Sequence, residues 1–161
     1  MSRLEVPLRY RNLWLTGDTL LRAELPLLVR DSSRGWQPLT FRYDSGSEMT
    51  TMPAARAKQY GIPFPRSPFP GLTMTTPTGT FHEVRNGMIK IQVAGMDGSE
   101  CWIPCYFLGD PNVPLPLSQT SRAPVNLLGL SGVVDKLSIT TNGTPTLKAV
   151  FGNVIVETII P

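Results

Sequence analysis

Cysteine, histidine and long apolar runs are all scarce in this chain, and each scarcity removes a class of explanation. There are 2 cysteines, Cys101 and Cys105, among 161 residues. Residues four apart on a strand stand ~13 Å from each other at ~3.3 Å per residue, too far for a disulfide, so both are expected to be buried free thiols. With 1 histidine, His82, the chain lacks the ligand set of a Cys/His zinc site, and no metal or other cofactor is expected. No stretch of ~18 apolar residues is present to cross a membrane as a helix. The first residues carry Arg3, Glu5, Arg9 and Arg11 where a secretory signal has its apolar segment. A cytoplasmic location and no membrane partner are therefore expected. Charge is dilute as well: charged residues make up 17%, the net charge is +3, and no run rich in Lys and Arg concentrates it. A pI near 9.1 thus leaves only a weak electrostatic footprint, and no nucleic-acid partner is expected.

What the chain does have is turn chemistry. Its 16 prolines and 14 glycines are scattered between short apolar runs, the punctuation of many brief strands joined by turns. Hydrophobic residues at 41% are enough for a core, and a chain of this length is expected to form one domain. The expectation is all-β.

Along the chain, Glu5–Tyr10, Leu20–Arg30 and Trp36–Tyr43 read as strands, the last two joined by the polar turn 31–35 as a hairpin. In the second arm Leu39, Phe41 and Tyr43 share one face, while Thr40, Arg42 and Asp44 share the other. Asp44 thus stands at a strand tip. Pro53–Tyr60 has helix formers behind an N-terminal proline, with Gly61 and Pro63 to close a short helix. Threonine-rich arms flank Pro77-Thr78-Gly79 and predict a projecting hairpin over Thr73–Val84. Ile89, Ile91 and Val93 alternate with Met88, Lys90 and Gln92, and Cys101, Ile103, Cys105 and Phe107 form one side of a second strand paired with the first. Prolines at 111, 114, 116 and 124 mark 109–124 as a surface loop. From Val125 a buried strand ending at Gly129 is followed by a short helix, then a strand over Leu137–Thr141. Asn142-Gly143 signals a hairpin, and Val154–Ile160 a final strand.

The constellation that carries chemistry is the strand Leu39–Tyr43 running into Asp44-Ser45-Gly46-Ser47, followed ~80 residues later by Leu127-Leu128-Gly129. Alone, Asp-Ser-Gly is only a turn signal. The ordered set of apolar strand, Asp-Ser-Gly, glycine-tipped hairpin, and two apolar residues with a glycine before a short helix resembles the retropepsin family of aspartic proteases. The resemblance spans roughly Leu20 to Thr141. It implies a single-lobe β-barrel with one or two short helices, forming a two-fold homodimer. The core would be 20–141, with an N-terminal arm over 1–19 and a C-terminal strand extension over 142–161.

The resemblance also implies roles. Asp44 is the catalytic carboxylate, the Ser45 hydroxyl locks the two catalytic loops across the dyad, and Gly46 brings its N–H close to the carboxylate. Ser47 is placed to hydrogen-bond the outer carboxylate oxygen, and Gly129 lets the Leu127-Leu128 strand pack against the catalytic loop. Thr76, Pro77, Thr78 and Gly79 form the flap tip over a protein or peptide substrate held extended. Two carboxylates that share one proton can both activate water and protonate a leaving amine, because like charges ~3 Å apart cannot both ionise. No second Asp-Ser/Thr-Gly exists: Gly17-Asp18-Thr19 and Asp97-Gly98-Ser99 run in the wrong order. The second aspartate must therefore come from another copy of the chain.

Two departures stand out. The retroviral pattern follows the glycine with an arginine that braces the dimer, and here Leu130-Ser131-Gly132 stand instead. Retroviral dimers also interleave short terminal strands, whereas this chain adds Thr144–Pro161, which implies an interface rebuilt there. His82 is expected at the surface. The alternative function is a catalytically silent retropepsin-like module that binds peptides or self-assembles; the intact Asp44, Ser45 and Gly46 favour activity. A plain β-barrel in which Asp-Ser-Gly merely reverses the chain is a third reading, and it predicts an exposed Asp44.

Overall fold

The computed structural model describes residues 3–12, 19–76, 79–115 and 125–159, with backbone alone over 9–12 and 19–22. It is a mostly β fold with one short helix among the described residues. The strands are β1 (Arg3–Pro7), β2 (Arg9–Asn12), β3 (Thr19–Arg22), β4 (Glu24–Arg30), β5 (Trp36–Tyr43) and β6 (Thr50–Pro53). Helix α1 (Ala54–Gln59) follows, then β7 (Met74–Thr76), β8 (Gly79–Phe81), β9 (Val84–Val93), β10 (Cys101–Leu108), β11 (Leu127–Leu128), β12 (Leu137–Asn142) and β13 (Asn153–Thr158).

Six strands close on themselves in the order β10-β6-β11-β5-β4-β9. The period of two explains the closure: Leu25, Leu27 and Val29 of β4, Phe41 of β5, Ile89, Ile91 and Val93 of β9, and Ile103 and Phe107 of β10 all point inward and are buried. Each such side chain stabilises the fold by ~1.5–3 kcal/mol relative to exposure. The β4–β5 hairpin pairs Leu25 with Phe41 and Arg30 with Trp36. Its turn is tied by Asp31, whose Oδ1 accepts from the Ser33 N–H (2.9 Å), the Ser33 hydroxyl (2.8 Å) and the Gly35 N–H (2.7 Å). Cys105 is buried and Cys101 half-buried, both as free thiols. Burial pushes each thiol above its ordinary range.

A second, three-stranded sheet runs β1-β13-β12, antiparallel throughout. Val154, Val156 and Leu137 bury one of its faces against the same core as the barrel, with Leu4, Val6 and Ile139 packed beside them. The N-terminal arm and the C-terminal extension thus pair with each other within one chain, Arg3 opposite Glu157 and Pro7 opposite Asn153. Both strands contribute side chains to the core cluster or to its packing shell.

Four sequence expectations need correction. The strand expected over Glu5–Tyr10 is two strands broken at Leu8, because Leu8 turns inward, buried, and its N–H reaches the Gly152 carbonyl at 2.9 Å. The expected strand Leu20–Arg30 is likewise divided at Ala23. No helix forms beyond Gly129; residues 131–136 are consecutive turns. Gly132 adopts φ +72°, which interrupts right-handed helical winding, and a Cβ there would lie 2.6 Å from Pro104 Cδ. Nor does Asn142-Gly143 make a tight two-residue hairpin: Asn142 pairs with Asn153 across the longer loop 143–152. Gly152 permits that closure, since a Cβ there would fall 2.7 Å from Gly143 Cα.

Candidate active site

Asp44 is the first residue beyond β5, and neighbouring strand β11 holds it. β11 runs parallel to β5, pairing Leu127 with Arg42 and Leu128 with Tyr43, and the Asp44 N–H donates to the Leu128 carbonyl at 3.0 Å. The chain then turns sharply: the Ser47 N–H donates to the Asp44 carbonyl at 3.1 Å, and the Gly46 N–H donates to Asp44 Oδ1 at 3.0 Å. A charge-accepting carboxylate oxygen is thus fixed by a backbone donor. A Cβ on Gly46 would stand 3.3 Å from the same oxygen, so glycine leaves room for the carboxylate.

The segment after β11 fastens the other side of this loop. Leu130 N–H donates to the Ser47 carbonyl (3.0 Å), and Ser131 N–H to the Glu48 carbonyl (2.8 Å). Gly129 N–H donates to the Thr50 hydroxyl at 3.1 Å, and Thr50 is buried. Gly129 itself lies against the Met49 backbone. The residues singled out in the sequence around 44–47 and 127–129 are therefore one spatial unit. Asp44 and Ser47 are half-buried, whereas Ser45 and Gly46 are exposed. Ser47 differs from its expected role: its hydroxyl donates to the Met49 carbonyl at 2.8 Å, and a hydroxyl has only one proton to give. It braces the loop instead of the carboxylate.

The glycine-tipped hairpin is a two-stranded sheet of its own, β7 with β8, pairing Met74 with Phe81 and Thr76 with Gly79. The Thr76 hydroxyl donates to the Gly79 carbonyl at 3.1 Å, and the Thr75 and Thr80 hydroxyls meet at 3.2 Å. Pro77 and Thr78 lie outside the described residues. Gly79 takes φ +139° with open space around its Cα. His82 is exposed beside it.

Two structural residues escaped the sequence reading. Arg85, 5% exposed, sits at the root of this hairpin, paired with Glu83 at 2.7 Å. It donates to the Arg66 carbonyl (3.3 Å) and the Gly109 carbonyl (3.2 Å). Asn126 joins α1 to the barrel: its Oδ1 accepts from Arg56 at 3.0 Å and its Nδ2 donates to the Thr40 carbonyl at 3.2 Å. Burial lowers the Arg56 guanidinium's pKa below its ordinary value. A lone arginine at the head of an apolar strand and an asparagine before Leu127 carry no spacing signal that could have marked them.

No family model matches the chain, and no curated protein matches it. Among solved structures, the EIAV protease complexed with the inhibitor HBY-793 is similar, with a TM-score of 0.41 and 16% identity over 67% of this chain and 81% of that one. A likeness of that size carries no argument about fold or function. No described helix is long and apolar enough to cross a membrane.

Proposed function

We propose that the chain is a retropepsin-like aspartic endopeptidase, and that its active site forms when two copies bring their Asp44 carboxylates together about a two-fold axis. The observation that carries this reading is the Asp44 loop. The half-buried Asp44 stands at a strand end with its carboxylate oriented by the Gly46 N–H, and the backbone of its loop is clamped by main-chain hydrogen bonds to residues 128–131. The exposed Ser45 and Gly46 leave the edge of that loop open to a second copy.

In such a pair one carboxylate is ionised and the other protonated. The ionised one takes a proton from water as its oxygen attacks the peptide carbonyl carbon, and the protonated one gives its proton to the carbonyl oxygen. Collapse of the resulting gem-diol, with proton transfer to nitrogen, breaks the C–N bond. The backbone donor at Asp44 Oδ1 fixes the orientation of that carboxylate. Ser45, at the loop edge, is the residue assigned to cross-link the two loops, and the Thr76–Gly79 tip is assigned to cover an extended substrate. Because β1 and β13 already pair within the chain, the interface cannot use the exchange of terminal strands seen in retroviral dimers without breaking that sheet.

The test is digestion of a peptide library by the purified protein at several pH values, with Asp44→Asn as control. Cleavage in mildly acid solution, absent from the control and blocked by a statine-type analogue, is expected. Cleavage that persists in Asp44→Asn would refute the proposal.

A further inference from the structure

Arg42 is the residue of the Asp44 strand that the scheme above leaves without work. It shares the outward face of β5 with Asp44, two residues away, ~6.6 Å along the strand. Inward residues Leu39 and Phe41 are buried and Tyr43 packs against the core, while Arg42 and Asp44 are both half-buried on the other side. Other arginines that lie partly inside the protein are engaged: Arg85 with Glu83 and two carbonyls, Arg56 with Asn126, Arg30 over the Trp36 ring at 5.0 Å. Among the described residues the Arg42 guanidinium has no hydrogen-bond or ion-pair partner. Glu24 stands directly opposite in the β4–β5 register, but it has an interaction of its own.

A half-buried arginine without a partner keeps its guanidinium donors free for a ligand. Its five donors are arranged to take a carboxylate in two parallel hydrogen bonds. We infer that Arg42 selects substrate by binding an acidic side chain of the peptide within one residue of the bond facing Asp44. This rests on the peptidase reading for the peptide's position, and it narrows the substrate class to segments with Asp or Glu beside the scissile bond. Charge-assisted hydrogen bonds are roughly twice as strong as neutral ones, so the expected preference for Glu over Gln is roughly tenfold or more.

The experiment uses two readouts on the full chain. Binding is measured by fluorescence anisotropy in the Asp44→Asn background, with peptide sets in which each position in turn is Glu, Gln or Lys. Cleavage of the same sets is measured in the wild type. Arg42→Glu and the milder Arg42→Gln are compared with Lys148→Glu, which makes the same charge change as Arg42→Glu at an exposed loop site. The expected result is a tenfold preference for Glu at one position, abolished by Arg42→Gln, turned toward Lys by Arg42→Glu, and kept by Lys148→Glu. A preference that is absent, that survives both Arg42 variants, or that Lys148→Glu removes equally would overturn the inference, as would no peptide binding at all. If the charge-dependent binding appears but the wild type cuts nothing, Arg42 keeps its role and the peptidase reading fails.

Discussion

Gly129 meets Met49 backbone to backbone: a Cβ on Gly129 would lie 2.5 Å from the Met49 carbonyl oxygen and 2.9 Å from its nitrogen. No side-chain rotation can relieve that contact, because the atoms on the far side are main chain. The Asp44 loop is therefore coupled to β11 through a position that accepts only a hydrogen. Gly129→Ala should push the 44–49 loop away, breaking the Leu130-to-Ser47 and Ser131-to-Glu48 hydrogen bonds and costing ~2–4 kcal/mol of stability. Urea unfolding checks this, and an unchanged midpoint would show that the approach is looser than described.

Asp31 gives a pH dependence that does not involve the Asp44 loop. Hydrogen bonds from Gln37, Ser33 and Gly35 hold its carboxyl at about 2, down from an ordinary 3.8. A carboxyl with a depressed folded-state pKa contributes stability that is fully present above the unfolded pKa and lost as pH falls through the folded one. That contribution is therefore expected to disappear between about pH 4 and pH 2. Asp31→Asn should be less stable than the wild type at neutral pH and should lose less on acidification over that window. Thermal melts at pH 2, 3, 4 and 7 measure the difference, and parallel curves for both proteins would contradict it.

The hairpin tip yields a prediction that separates turnover from folding. Gly79 combines φ +139° with open space where a Cβ would go, so Gly79→Val strains the tip without colliding with the barrel. Under the proposed function kcat/KM should fall about tenfold or more while Tm moves by only ~2 °C. Normal turnover in that variant would remove β7–β8 from substrate binding.

How much of this was legible in the sequence follows from the range of the forces involved. The β4–β5 hairpin, α1 and the β9–β10 pair were readable because alternation, a proline start and turn residues are local signals, and burial at Leu25, Phe41, Ile91 and Ile103 follows that alternation. The positions of Asp44 and Gly129 in one unit came only from an ordered resemblance, since nothing local in Leu127-Leu128-Gly129 points ~80 residues back. Pairing of Arg3 with Glu157 was not legible, because strand partners separated by most of the chain leave no spacing rule. The missing helix after Gly129 turned on Gly132 facing Pro104, a tertiary contact that overrides a helix-compatible run. Ser47 was misjudged for a similar reason: a hydroxyl chooses among acceptors only visible once the loop is folded.

The last prediction follows from counting carboxylates. One chain offers a single Asp44 loop, so a shared dyad makes activity a property of the dimer, and specific activity should fall on dilution in step with dissociation measured separately by sedimentation. Asp44→Asn subunits provide the sharper measurement. The change is nearly isosteric and keeps an oxygen for the Gly46 N–H, so variant and wild-type chains should pair at random. A mixed dimer holds only one ionisable carboxylate and cannot divide the acid and base roles. Once subunit exchange is complete, with wild-type chains as a fraction f of the total, active dimers should scale as f squared. At f of one half, about a quarter of the dimers are then active. Activity strictly proportional to f, with exchange demonstrated independently by mass-labelled subunits, would place both catalytic groups in one chain and dismiss the shared dyad.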